Sequence, residues 1–413
     1  MEYYPRKIEE KLDKWMERDE IIIVKGPRQS GKTTLLMHLR EKFGGEYVTL
    51  EDEDAFETFD KAPLKFVERY TGKGRFLYID EAQYSANAGK NLKLIYDRFR
   101  PKIKLVITGS GSFDTKVQVG KYLVGRAVYM ELLPLSFEEF ILWKAKDLHK
   151  IYSEWRNGIT KFITQGKGID TEPAFQKEFT QLLEEYLIYG GFPAIVKERE
   201  TSVKQELLKN LSRTYLERDV FFFFNIREME KFRLLLSYLS LITGSILEFS
   251  SISSELHMDF RTVEGYLSIL LQTYLIYLLY PFYTNKLNEL KKSKKVYFID
   301  TGLRNSIIGN FLPLSSRTDA GALYENFVLR ELMDMGLEPR YWRTTHGSEV
   351  DFIININGKY IPVEVKARGK EESGFRSFIR NYRPERGIVF TNAEIGVKEI
   401  NETKIAYVPH YFI

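Results

Sequence analysis

The fold of this chain is decided by Ile21-Ile-Ile-Val-Lys25, which is followed directly by Gly26-Pro-Arg-Gln-Ser-Gly31-Lys32-Thr33. Four consecutive β-branched residues before a Gly-Pro break predict a strand covered on both faces, as in parallel sheets. The next residues match G-x-x-x-x-G-K-[ST], in which glycines let backbone N–H groups turn toward a phosphate because no Cβ blocks the approach. Thr34-Leu-Leu-Met-His-Leu-Arg40 then favours a helix whose positive N-terminal end would face the same anion. The order strand, loop, helix predicts a phosphate site and disfavours a chance glycine-rich turn.

Each residue type in this loop has an expected task. The Lys32 ammonium is expected beside the β- and γ-phosphates, and the Thr33 hydroxyl is expected to bind Mg²⁺. ATP and Mg²⁺ are therefore the cofactors that the sequence predicts. The residues expected to contact the nucleotide are Gly26, Pro27, Arg28, Gln29, Ser30, Gly31, Lys32, Thr33, Thr34 and Ser110.

A second apolar strand, Arg75-Phe-Leu-Tyr-Ile79, ends in two carboxylates, which is the Walker B pattern. Asp80 would reach Mg²⁺ through water, and Glu81 could orient or deprotonate the attacking water. The following strand ends near Thr108 and Ser110, where a polar sensor of the γ-phosphate is expected. The sequence does not choose between these two hydroxyls.

Composition restricts the class of protein. With 44% hydrophobic and 29% charged residues, the 413-residue chain is expected to be folded and to form about two to four domains. Its 61 basic and 57 acidic residues create no global field for nucleic acid. The absence of cysteine excludes disulfides, thiolate zinc sites and cysteine nucleophiles. No signal peptide or membrane span is apparent, so we expect a cytoplasmic protein.

Residues 250–280 have the pattern of a helix-turn-helix, with a second helix from Arg261 to Leu271. The basic run from Lys286 to Lys295 would lie near a wing, where lysines gain from counterion release at DNA phosphates. DNA is therefore a candidate partner. The alternative is that the motif only packs domains together, since Glu264 on the recognition face would repel phosphate.

The C-terminal part contains a second set of carboxylates. Asp351 opens one strand, while Glu364 and Lys366 share a face of the next because strand side chains alternate. Together with Glu325 from an upstream helix, these groups could bind Mg²⁺, lower the pKa of its water and stabilise the charge of a phosphate transition state. The alternative is an internal salt bridge between Lys366 and either Glu364 or Asp351, without catalysis.

Several stretches resemble a family of prokaryotic, including archaeal, AAA-type ATPases fused to a C-terminal domain long catalogued as of unknown function. These stretches are Thr108-Gly-Ser-Gly-Ser112, Leu123-Val-Gly-Arg126, the run from Glu131 to Phe140, Gly190-Gly-Phe-Pro193 and Tyr215-Leu-Glu-Arg-Asp219. An extra strand between the Walker A and Walker B strands, with Glu81 beside Asp80, is typical of the additional-strand ATPases. The C-terminal carboxylates resemble the PD-(D/E)xK nuclease core.

The resemblance implies that Arg126 senses or stabilises phosphate charge, an action that could cross a subunit contact in a homo-oligomer. A structural ion pair is the alternative role. The catalytic residues expected over the whole chain are Lys32, Glu81, Arg126, Asp351, Glu364 and Lys366. The expected metal ligands are Thr33, Asp80, Glu325, Asp351 and Glu364.

We therefore predict an α/β multidomain protein. Residues 1–135 would form an AAA-type ATPase core with a parallel sheet, 136–235 a helical lid, 236–295 a winged helix-turn-helix and 296–413 a restriction-endonuclease-like domain. The predicted function is Mg²⁺-dependent ATP hydrolysis, acting on DNA or regulated by it. The alternatives are an ATP-dependent DNA nuclease and a non-hydrolysing regulatory or defence switch whose C-terminal domain only binds a partner.

Overall fold

The computed structural model describes most of the chain. The described residues are 3–72, 74–110, 119–167, 169, 174–215, 220, 226, 228–283, 287, 289, 292–367, 373–392 and 395–413. Ser112, residues 216–219 of the Tyr-Leu-Glu-Arg-Asp run, Lys286 and Lys291 therefore lie outside the described residues.

The N-terminal part is built on strands β1 (Ile21–Lys25), β2 (Glu46–Thr49), β3 (Phe76–Asp80), β4 (Lys104–Gly109) and β5 (Ala127–Glu131). These strands form one parallel sheet in the order β2-β3-β4-β1-β5. Strand β4 lies between β1 and β3, which confirms the predicted extra strand. The apolar residues of β1 are fully buried, because the sheet has helices on both faces.

The helices of this part are α1 (Ile8–Met16), α2 (Lys32–Phe43), α3 (Glu53–Lys61), α4 (Pro63–Tyr70), α5 (Ala88–Phe99) and α6 (Val119–Tyr122). Helix α1 buries Ile8, Leu12 and Met16, which recur at helical spacing. Its apolar face packs with one side of the sheet in the cluster that includes Ile22, Val24 and residues of α2.

A helical region follows, formed by α7 (Phe137–Lys144), α8 (Lys146–Gln165), α9 (Gln176–Tyr189), α10 (Pro193–Lys197) and α11 (Thr201–Thr214). Helix α9 ends at Gly190 (φ 75°), and Pro193 starts α10, because two glycines and a proline cannot continue a helix. A Cβ on Gly191 would lie 2.3 Å from the Leu135 carbonyl oxygen, so only glycine fits there.

The next segment contains α12 (Met229–Leu241), α13 (Phe249–Glu255), α14 (Phe260–Gln272), β6 (Ile276–Leu279) and β7 (Lys295–Phe298). Strands β6 and β7 form an antiparallel hairpin, and Ile246 bridges to Lys295. The expected pair of helices is present as α13 and α14, and α14 begins where the Asp259 carboxylate accepts a hydrogen bond from Arg261 N (2.8 Å).

The C-terminal part contains α15 (Thr301–Ile308), α16 (Ala320–Asp334), β8 (Arg340–Arg343), β9 (Glu349–Ile356), β10 (Lys359–Lys366), α17 (Ser373–Tyr382), β11 (Arg386–Thr391), β12 (Gly396–Ile400) and β13 (Thr403–Val408). Its sheet has the order β12-β13-β11-β10-β9-β8. Strand β11 is parallel to β10 and β13, and the other pairs are antiparallel, so the sheet is mixed.

One hydrophobic core joins the helical region to the C-terminal sheet. Phe137, Trp155 and Phe179 from the helices pack in the same cluster as Phe327 and Phe412. Residues assigned to the lid thus share their core with residues assigned to the C-terminal domain. Among the described helices, none is long and apolar enough to cross a membrane.

Candidate nucleotide site and C-terminal carboxylate cluster

The phosphate loop leaves the sheet where β5 also ends. Gly26 has φ 157°, and a Cβ there would lie 2.1 Å from the carbonyl oxygen of Leu132. The two chain segments are joined at this point by a hydrogen bond from Leu132 N to Lys25 O (2.7 Å). Gly31, with φ 98°, is the N-cap of α2. Both glycines of the motif are therefore required by the backbone, and the loop opens onto the N-terminus of α2.

Lys32 is buried within this loop. Its ammonium donates hydrogen bonds to the carbonyl oxygens of Gly26 (3.1 Å) and Pro27 (2.8 Å), and the residue is only 4% exposed. The positive charge is therefore held at the loop itself, where a phosphate group would be bound.

The first two predicted metal ligands are in direct contact. The Thr33 hydroxyl donates to Asp80 Oδ2 (2.6 Å), and Tyr47 donates its hydroxyl to the same oxygen (2.9 Å). Thr108 donates its hydroxyl to Asp80 Oδ1. Because a hydroxyl and a carboxylate are the oxygen ligands that Mg²⁺ uses beside nucleotide phosphates, Thr33 and Asp80 fit this ion.

Glu81 is held by a residue that sequence reasoning missed. Glu81 has a left-handed backbone (φ 55°), and its N–H donates to the Thr108 hydroxyl (3.1 Å). The fully buried Gln83 donates its amide N–H to the Glu81 carboxylate and accepts from Ser110 N (3.2 Å). Burial raises the pKa of Glu81, while the nearby Lys32 charge opposes that rise. Gln83 thus links the carboxylate to the end of β4.

The two candidate sensor residues differ in their contacts. The hydroxyl of Thr108 is engaged by the Asp80 carboxylate and by Glu81 N. The hydroxyl of Ser110 is buried and has no hydrogen-bond partner among the described residues, which omit 111–118. Ser110 also follows Gly109, which pairs with Lys25 beside the loop.

An aromatic cavity adjoins the phosphate loop. It has a volume of 430 Å³ and is lined by loop residues, by Glu81 and by the Pro193 end of α10. Tyr4 stacks on Trp143 at its wall, with ring centroids 4.1 Å apart. Neither ring was predicted from the sequence, because no spacing pattern links an N-terminal residue to helix α7.

Arg6 is a second residue that sequence reasoning missed. Its guanidinium donates to Ser30 O in the loop (2.9 Å) and to Leu133 O (2.7 Å), and pairs with Glu139 (3.1 Å). Glu139 also forms a capping box with Ser136 at the start of α7. Arg6 therefore ties the loop to the helical region.

Within one chain, the predicted role of Arg126 at the phosphates is wrong. Arg126 precedes β5 at the amino ends of the parallel strands, because Ile21, the first residue of β1, pairs with Ala127. The phosphate loop follows Lys25 at the carboxyl ends of the same strands. Its guanidinium instead pairs with the exposed Asp97 (2.9 Å), which is the alternative role. Action across a subunit contact stays a prediction.

The C-terminal residues come together in part. Lys366 pairs with Glu364 (2.8 Å), and Asp351 accepts a hydrogen bond from Val365 N (2.8 Å). Burial and the charges of Glu364 and Glu325 raise the pKa of Asp351. The described residues contain no group of three or more His, Cys, Asp or Glu side chains that could hold a metal ion. The expected metal site of Glu325, Asp351 and Glu364 stays a prediction, and the pair of Lys366 with Glu364 is the internal salt bridge that was its alternative.

The basic run is only partly a surface patch. Lys292 is exposed, and the Lys294 ammonium lies 4.4 Å from the centre of the Tyr280 ring. Lys295 is buried and pairs with Glu325 (3.0 Å) and Glu349 (2.5 Å). The prediction that Lys295 faces DNA phosphates is wrong, because its strand turns this side chain into the protein.

Comparison with family models gives three matches. Residues 18–141 match an AAA domain, 180–313 match a domain of unknown function (DUF8612) and 320–411 match another domain of unknown function (DUF4143). The first match and the five-stranded parallel sheet agree with the predicted AAA-type fold.

Two relatives match most of the chain. An uncharacterized protein of Methanocaldococcus jannaschii is 27% identical over 355 residues, which cover 81% of this chain and 72% of the relative. An uncharacterized protein of Haemophilus influenzae is 24% identical over 377 residues, covering 86% and 84% respectively. Neither name assigns a function.

Solved structures show only weak similarity. A signal-transduction ATPase of the STAND class with a tetratricopeptide repeat sensor, from Pyrococcus horikoshii, has a TM-score of 0.30 and 16% identity over 81% of this chain. PCH-2 of C. elegans has a TM-score of 0.26 and 19% identity over 49% of this chain. The matches span 46% and 56% of those structures, about half their length, and carry no functional argument.

Proposed function

We propose that this protein is a Mg²⁺-dependent AAA-type ATPase. The observation that carries the proposal is the direct contact of the Thr33 hydroxyl with the Asp80 carboxylate (2.6 Å), next to the buried Lys32 and followed in the chain by Glu81. Lys32 would exchange its carbonyl contacts for phosphate oxygens, and Thr33 and Asp80 would hold Mg²⁺. The ion would neutralise charge on the phosphate oxygens.

Glu81 would act as the base that orients or deprotonates the attacking water. Its raised pKa makes proton acceptance more favourable, and the amide of Gln83 fixes the direction of the carboxylate. Ser110 is the better candidate for the γ-phosphate sensor, because Thr108 already binds Asp80 and Glu81. The adenine ring would enter the 430 Å³ cavity and stack on Tyr4 or Trp143.

Nucleotide binding and turnover test this proposal separately. Calorimetry with ATP should show binding that Lys32→Ala abolishes and that Glu81→Gln retains, because only the first change removes a phosphate contact. Turnover should fall about 10²- to 10⁴-fold in Glu81→Gln. Lys42→Ala and Glu57→Gln are matched controls at exposed positions. A wild-type protein without affinity for adenine nucleotides would refute the ATPase, and tight binding with negligible turnover would favour the non-hydrolysing switch.

DNA is the proposed regulator of this ATPase. The sequence of elements in this segment supports a winged helix: helix α12, the bridge at Ile246, helices α13 and α14, and the hairpin β6–β7. Arg261 and Ser268 of α14 are exposed and could contact DNA. Lys292 and Lys294, at the end of the loop between the hairpin strands, supply positive charge.

Salt-dependent anisotropy with labelled duplex DNA tests the DNA contact. The double variant Lys292→Glu, Lys294→Glu should reduce the slope of log affinity against log salt by about 2. Lys42→Glu with Lys61→Glu, on exposed helix ends of the ATPase part, is the matched control. An unchanged slope would reject this surface. Mg²⁺-dependent cutting that disappears in Asp351→Asn would instead support the ATP-dependent nuclease.

A further inference from the structure

The C-terminal carboxylate cluster contains a lysine from the preceding hairpin. Lys295 Nζ lies 3.0 Å from Glu325 Oε1 and 2.5 Å from Glu349 Oε1, and its side chain is 3% exposed. Tyr297, two residues along β7 and so on the same face, donates its hydroxyl to Glu325. Two side chains on one face of β7, Lys295 and Tyr297, thus donate hydrogen bonds to the Glu325 carboxylate of α16.

The charges of this cluster show what the lysine does. The Lys295 ammonium forms ion pairs with both Glu325 and Glu349 and is therefore the cation that these two carboxylates share. Asp351 lies on the same face of β9 as Glu349, because strand side chains alternate. Carboxylates gathered around one buried cation are a charge arrangement that a divalent metal ion would otherwise satisfy.

Glu325 is held by the hairpin. Its Oε1 atom accepts hydrogen bonds from the Lys295 ammonium and the Tyr297 hydroxyl. The N–H of Gly244 donates to Val296 O (2.8 Å), the residue between these two donors. Glu325 is therefore part of the hairpin contact.

We propose that the Lys295 ammonium permanently replaces a metal ion in this cluster, so that the nuclease-like residues anchor the hairpin and do not form a metal-dependent active site. A removable plug is disfavoured because the side chain of Lys295 is only 3% exposed and its ammonium pairs with both Glu325 (3.0 Å) and Glu349 (2.5 Å). Withdrawing the ammonium would leave these carboxylates without their cation, so the substitution is structural.

Manganese binding tests this inference without nucleotide, and therefore independently of the proposed ATPase. The background variant Asp80→Asn removes the N-terminal metal ligand, and electron paramagnetic resonance measures free Mn²⁺ in protein titrations. The Asp80→Asn protein, in which Lys295 is unchanged, and the same protein with Asp351→Asn added should take up Mn²⁺ equally. Lys295→Met, which keeps the length of the side chain and removes the charge, should gain Mn²⁺ binding that Asp351→Asn abolishes.

Two results would overturn the inference. The first is Mn²⁺ uptake by the Lys295-containing protein that Asp351→Asn abolishes. The second is a folded Lys295→Met variant, with a native circular dichroism spectrum, that gains no Mn²⁺ binding. Should Lys295→Met fail to fold, the comparison of the Lys295-containing protein with Asp351→Asn decides alone, and equal uptake supports the inference.

Discussion

Arg6 is expected to contribute strongly to both folding and nucleotide binding. Arg6→Met keeps the aliphatic stem but removes the hydrogen bonds to Ser30 O (2.9 Å) and Leu133 O (2.7 Å) and the pair with Glu139 (3.1 Å). Each buried acceptor that loses a partner costs about 1–3 kcal/mol. Glu139 keeps bonds from Lys7 N (2.8 Å) and Ser136 N (3.0 Å), so its charge remains hydrogen-bonded. The loss of unfolding free energy should therefore be about 3 kcal/mol, near the lower end for a broken buried ion pair.

The assay combines urea denaturation with calorimetric titration of ADP. Because Ser30 belongs to the phosphate loop, ADP affinity of the folded Arg6→Met variant should fall about tenfold, which corresponds to about 1.4 kcal/mol. Glu139→Gln is the matched control: it keeps both carbonyl contacts of Arg6 and should change ADP affinity much less. A cost below about 1 kcal/mol for Arg6→Met, or an equal loss of ADP affinity in Glu139→Gln, would contradict this role of Arg6.

Gly302→Ala would place a Cβ 2.1 Å from a backbone oxygen of α9 and should cost more than about 3 kcal/mol of stability in thermal unfolding; Gly265→Ala, where the Cβ meets nothing within 4 Å, is the control that should not destabilise. Burial raises the pKa of the Asp300 carboxyl from 3.8 to about 6 in the folded state. Between these pH values the folded protein binds a proton that the unfolded chain has lost, so the contribution of Asp300 to the free energy of unfolding is full below pH 4 and should be lost as the pH rises through 6. Urea unfolding between these values should show the fall, at most about 3 kcal/mol, and Asp300→Asn should flatten it; an identical slope in both proteins would contradict the assignment. Arg126→Ala removes only an exposed ion pair, so ADP binding and thermal stability should not change measurably, and a loss of turnover that depends on protein concentration would instead indicate a contact between subunits.

The nucleotide site could be predicted because its determinants are local. Strand β1, its loop and α2 are consecutive, and parallel strands bring their carboxyl ends to one edge, so the sequence alone predicts that Thr33 and Asp80 meet. Gln83 could have been found from its position two residues after Glu81 at a turn. Arg6 could not, because its partners Ser30 and Glu139 are 24 and 133 residues away and follow no spacing rule.

The errors have a common physical origin. A run of lysines predicts a solvated surface, but Lys295 also begins a strand, and strand alternation sends it inward with Tyr297. Arg126 follows a glycine turn and precedes a strand, which places it at the edge of the sheet away from the phosphate loop. In both cases the residue type was identified correctly, and the direction of the side chain was decided by the strand to which it is attached.

Ion pairs to helix α16 connect the segment beside the nucleotide loop to the C-terminal part. Arg6 contacts the loop, and the adjacent Lys7 pairs with Asp334 of α16 (2.5 Å). Arg156 of α8 pairs with Asp334 (2.8 Å), so the last turn of α16 receives charges from both the N-terminal segment and the helical region. Glu325, nearer the start of the same helix, is held by Lys295 of the hairpin. Helix α16 thus contacts the N-terminal segment and the helical region at one end and the hairpin nearer its start.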